Sequence, residues 1–125
     1  MAIEADLGTY LETVPLAGGR VHAMKLPQDP TLPALVFIRV STMPTYSHSG
    51  FSNFTEARFQ ISCWAATYMA ARQLAAQVRT ALDGYSGAMG TTQIGHCLCA
   101  SDRDIYEPEP QRFHAPLDYM IGYKD

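Results

Sequence analysis

Apolar positions along the chain switch between two periods, and the switches mark its elements. Ile3, Leu7, Tyr10 and Leu11 fall on one helical stripe, which predicts a helix from Ala2 to about Thr13. Glu4 and Asp6 sit near its start, where carboxylates favour the helix dipole. Pro15 and Gly18-Gly19 then close it and turn the chain. Arg20–Met24 is a short strand, and Pro27, Pro30 and Pro33 stiffen the link that follows. Leu35 to Met43 is rich in β-branched and aromatic residues and reads as a strand. Pro44 to Asn53 breaks the pattern; small, polar and aromatic, it reads as a long hairpin loop. Alternation resumes from Glu56 to Trp64, with Phe59, Ile61 and Cys63 on one face and Arg58, Gln60, Ser62 and Trp64 on the other.

The strongest helical signal is Thr67 to Leu82. Alanine dominates it, and Tyr68, Ala71, Leu74, Ala75, Val78, Ala81 and Leu82 form an apolar stripe, with Arg72 and Arg79 off it. Asp83-Gly84 ends the helix. Gly87 to Gly90 reads as a turn, Thr91 to Ala100 as a strand, and Asp102 to Pro110 as an acidic, proline-bearing connection. Arg112 to Tyr123 alternates well, with Phe113, Ala115, Leu117, Tyr119, Ile121 and Tyr123 on one face. The predicted order is α-β-β-β-α-β-β. That is an α+β domain: a mainly antiparallel sheet of about five strands with two helices packed on one face. The other face, around Arg58, Gln60 and Trp64, is left for a partner to cover.

Composition narrows the function. A chain of 125 residues fits one domain and buries enough apolar surface to fold without staples. A formal charge of −3 gives no footprint for gripping a phosphate backbone, although DNA passing through a lumen without specific binding is compatible with it. The longest apolar run, near Leu35–Ile38, is far short of a membrane span, and the first residues lack the pattern of a secretory signal. Three cysteines, Cys63, Cys97 and Cys99, make a poor disulfide framework and fit a reducing compartment; the expectation is a protein made and folded in a cytoplasm.

No catalytic signature emerges. His96-Cys97-x-Cys99 invites a zinc or Cys–His nucleophile reading, with Cys63 and His114 as further candidates from neighbouring strands. On a strand, however, the two cysteines point to one face and His96 to the other, and buried cysteines are ordinary small hydrophobes. No metal ligand or cofactor is therefore assigned. The Asp102–Glu109 carboxylates lack the order of a calcium loop and read as a solvated loop or one that meets a neighbouring subunit's basic residues. Tyr46, His48 and Phe51, set among small residues in the long loop, have the mix of aromatic anchors and adaptable polar groups common at binding surfaces. With Arg58, Gln60 and Trp64 they form the candidate interface.

Several landmarks occur in a telling order. Gly19-Arg20-Val21 is followed by Gln60-Ile61-Ser62-Cys63-Trp64 and then by Ala71-Arg72-Gln73-Leu74-Ala75. Tyr106-Glu107-Pro108 and the strand Leu117–Ile121 complete the series. Over nearly its whole length the chain resembles the bacteriophage tail completion, or head–tail joining, family. The resemblance implies a virion structural protein of the tail–neck region: a ring, commonly of six subunits, that ends the tail tube and meets the head connector. It implies no enzyme activity and no cofactor, and it carries no catalytic residues over. The alternative reading is a small Cys/His metal- or ligand-binding domain or enzyme.

Overall fold

A computed structural model of the chain describes residues 2–28, 30–44, 55–108 and 111–124. The elements run α1 (Ala2–Leu11), a 3-10 turn (Pro15–Ala17), β1 (Val21–Ala23), β2 (Ala34–Pro44), β3 (Thr55–Ala65), α2 (Tyr68–Leu82), β4 (Gly87–Met89), β5 (Thr92–Asp102), β6 (Ile105–Pro108) and β7 (Gln111–Lys124). The strands make one curled sheet in the order β1-β2-β3-β7-β5-β4, with β6 also paired to β7.

The α+β class and the mostly antiparallel sheet agree with the sequence pattern; the strand count does not. The described residues form seven strands rather than about five. Gly87–Met89, read as part of a turn, pairs with Thr92–Ile94, and Ile105–Pro108, read as connection, pairs with Gln111–His114. Both are too short to show a period, so only pairing with a longer neighbour reveals them. Strand β1 is parallel to β2 while every other pair is antiparallel.

Both helices lie on the same face of the sheet. Ile3, Leu7 and Leu11 of α1 and Leu74, Ala75, Val78 and Leu82 of α2 join one core with Leu35, Phe59, Ile61, Leu117, Tyr119 and Ile121. The strand residues are those on the apolar phase of the alternation. Thr67 caps α2, its hydroxyl accepting from the Ala70 amide at 3.2 Å, and Gly84 leaves with φ 73°, a conformation suited to glycine. Tyr68, placed by periodicity on the apolar stripe, is 46 % exposed, its ring edge-on to Phe113 and its hydroxyl donating to Asp104.

Long-range polar bonds tie the layers together. The Asp6 carboxylate of α1 accepts from the Thr91 amide and from the Thr91 and Thr92 hydroxyls at 3.0, 3.1 and 2.6 Å. Gly90, at φ 60°, leaves room for that carboxylate, which a Cβ there would strike. The fully buried Tyr119 donates its hydroxyl to Asp83 at 2.5 Å, at the end of α2. Burial, and then the neighbouring carboxylate, push the Tyr119 pKa up, so the phenol stays a donor.

These contacts differ in weight, and denaturant titration measures it. Leu74→Ala opens a void under α2 and is expected to cost about 2–5 kcal/mol. Tyr119→Phe keeps the ring and loses one hydrogen bond, and half-exposed Asp83 regains water, so it is expected to cost about 1 kcal/mol. A Tyr119→Phe loss equal to that of Leu74→Ala would contradict this picture of the core.

Candidate assembly interface

The face away from the helices is where the sequence placed Arg58, Gln60 and Trp64, and all three are there, each half-buried. Their roles differ. Asp118, on the neighbouring β7, is 8 % exposed. Arg58 donates to it at 2.7 Å and Gln60 at 3.2 Å, with the Arg103 guanidinium 3.9 Å away. A buried carboxylate needs such partners, so Arg58 and Gln60 are committed to holding β3 on β7. Tyr46, His48 and Phe51 lie outside the described residues.

Trp64 is placed differently. Its ring stacks on His114 with centroids 4.0 Å apart and planes 9° from parallel. Beside this stack runs a groove of about 370 Å³, with Met24, Leu26, Val36 and Ile38 as apolar walls and Lys25 and Arg112 as cations. Met24 has φ 75° and is 67 % exposed, which lifts the segment after β1 into a rim. Both His114 ring nitrogens are buried, and the nearest ion-pair partner among the described residues is Glu107, its Oε2 3.5 Å from Nε2. Burial pulls the His114 pKa below its usual value, against the opposing pull of Glu107.

Around the end of the sheet, the aromatic surface continues. Tyr106 lies 4.9 Å from Phe113, and Tyr68 meets the same ring edge-on at 6.3 Å. Tyr106, Ile105 and Met69 are exposed beside them. Met24, Lys25, Tyr106 and Arg112 belong to no motif in the sequence that marks a site. The usable signal was Ile105-Tyr106, two large apolar residues inside an acidic run; the groove needed the register of distant strands.

On the helix side, Arg72 grips Asp102 through two bonds of 2.9 and 3.0 Å and also reaches Asp104 at 2.9 Å. Arg79 bridges Asp83 at 2.9 Å and Asp102 at 3.5 Å. Asp102 faces the helix because of a bulge: Cys99 opposes Tyr119, yet Ser101 opposes Asp118 and Asp102 opposes Leu117. The Arg72 bonds hold the Asp102 pKa below the ordinary carboxylate range. Acids read as a loose connection are thus partly tied to α2.

The cysteines have the environment of core residues. Cys63 and Cys97 are buried and Cys99 is half-buried, all three free. Burial raises the Cys63 thiol pKa and pushes that of Cys97 up to about 12, the reverse of what a nucleophile or metal ligand needs. His96 lies on the opposite face, its Nε2 3.2 Å from Glu56. Among the described residues no three His, Cys, Asp or Glu side chains converge on a metal position. No helix among them is long and apolar enough to cross a membrane.

Comparison with known proteins shows one family and one fold. The family described as Tail completion protein gp17 matches residues 2–124. A chain in the solved structure described as the virion of a native gene transfer agent (GTA) particle has the same fold, with a TM-score of 0.73 at 15 % identity. That match covers 98 % of this chain and 95 % of the other. No curated protein matches the chain significantly.

Two outcomes test this description of the site. A thiol reagent at neutral pH is expected to react with at most Cys99 in the native protein and with all three cysteines after denaturation; rapid native labelling of Cys63 or Cys97 would contradict their burial. For His114 the folded pKa lies below the unfolded value of about 6.5, so the unfolded chain takes up the proton first. Its contribution to stability is whole above that pH and is lost as pH falls through 6.5 toward the folded value. Between pH 7 and 5 the wild type is expected to lose more stability than His114→Phe; equal losses would show that His114 does not titrate in this way.

Proposed function

The chain belongs to the tail completion protein gp17 family, and from that membership we propose that it ends the tail of a phage or phage-like particle. Identical subunits, six in the arrangement the family resemblance implies, form a ring on the last layer of the tail tube. One face of the ring meets the tube protein and the other the head connector, in the neck of the virion. Assembly takes place in the cytoplasm of the bacterial host, and genomic DNA passes through the lumen without sequence-specific contact.

The match over residues 2–124 carries this reading. The physical character of the domain agrees with it. The Cys63 and Cys97 thiols are protonated and buried, and the best-organised polar clusters, around Asp118 and Asp102, are held by the chain's own arginines. Such groups brace a framework rather than turn over a substrate. The action is steric and stoichiometric: a ring engages its targets through several linked contacts, so modest individual contacts add to a firm cap. A Cys/His metal centre or enzyme finds no support in thiols of this kind.

Genetics tests the proposal. A particle-producing strain lacking this gene is expected to accumulate filled heads and unjoined tails, with tubes of abnormal length. Normally joined virions from that strain would refute the assignment.

A further inference from the structure

We propose that the groove beside Trp64 is a socket for residues 104–107 of a second copy of this chain, in a contact repeated from subunit to subunit; the inference rests on the ring reading and names the surfaces that close the ring.

The two surfaces match in polarity and charge. The socket has apolar walls and carries Lys25 and Arg112. The ion pairs among the described residues engage Arg39, Arg58, Arg72, Arg79 and Arg103, but neither of these two cations. The tip is Asp104-Ile105-Tyr106-Glu107, with Ile105 36 % and Tyr106 50 % exposed. Asp104 shares its charge with Arg72, while Glu107 has only His114 within ion-pair range among the described residues. An acidic, aromatic strand thus sits on the same molecule as a cationic, apolar groove. Tyrosine, tryptophan and arginine are also the types that dominate binding energy at interfaces.

Topology sets the sense of the contact. Across this end of the sheet the strands run β1, β2, β3, β7, β6. The rim after β1, with Met24 and Lys25, stands at one edge and the tip on β6 at the other, beside the far wall of the socket, where Ile105 pairs with His114 and Glu107 with Arg112. At about 4.8 Å per strand the edges are roughly 19 Å apart, so a molecule's own tip borders that wall but does not reach the rim. Tip into socket between copies is a head-to-tail contact, the kind that closes into rings and differs from a two-fold dimer.

The experiment puts both partners on one chain: Met24→Cys and Tyr106→Cys in a Cys99→Ser background, oxidised after assembly and run on a denaturing, non-reducing gel. Light scattering of the unoxidised protein, alone and with tail tubes, reports whether rings form. A ladder of covalent species above the dimer is expected, since each subunit bonds two different neighbours. Dimers alone would mean a two-fold contact and overturn the proposal. Rings without cross-links would overturn the socket and leave the ring standing; a monomer under every condition would overturn both. Charge exchange gives a second reading without cysteines. Lys25→Glu is expected to weaken assembly about tenfold with an unchanged circular dichroism spectrum, and adding Glu107→Lys on the same chain to restore it. Full assembly of Lys25→Glu, or no rescue by the double exchange, would count against the pairing.

Discussion

Strand β7 is the constraint from which the rest of this structure follows. It pairs with β3 from Phe113 to Tyr123 along one edge and with β6 and β5 along the other. A strand enclosed in this way has both its edges and both its faces spoken for. One face, with Leu117, Tyr119 and Ile121, receives the helices. The other holds Asp118 and His114, which fix Arg58, Gln60 and Trp64 in turn. Even Gly122 fits this scheme. His96 of β5 and Glu56 of β3 lie opposite it on either side and meet above it, where a Cβ would collide with the imidazole.

Much of this was legible in the sequence because it depends on local period. The stripe of α2, the alternation of β3 and β7, and the assignment of Phe59 and Arg58 to opposite faces all follow from neighbours two to four residues apart. The class of fold then followed from the order of elements. The short strands β4 and β6 and the parallel β1–β2 pair were invisible, since each exists only through a partner distant in sequence. So was the turn of Asp102 toward α2. A bulge between Cys99 and Ser101 changes the phase of the strand, and composition gives no sign of it.

The candidate site was legible in the same uneven way. Trp64 was singled out for its residue type and its phase on β3, and it does stand beside the groove. Arg58 and Gln60 share that phase but bind Asp118, a partner 60 and 58 residues away, and Gln60 lines the groove as well. Met24 and Lys25 were read as the end of a strand and the start of a link. A backbone turn at Met24, with φ 75°, makes them a rim. The tail-completion resemblance came from the order of short motifs spread along the chain, and the family match over residues 2–124 agrees with it.

On the proposed function the protein acts by shape and number, and tube growth is where that is measured most directly. Tail-tube protein polymerising in the presence of graded amounts of this chain, viewed by electron microscopy, shows both the length of the tubes and the state of their ends. The account predicts that elongation stops once there is about one ring per tube end, with a ring-shaped density seated on the stopped end. Tubes that lengthen unchanged at a large excess of this chain, with bare ends, would contradict it.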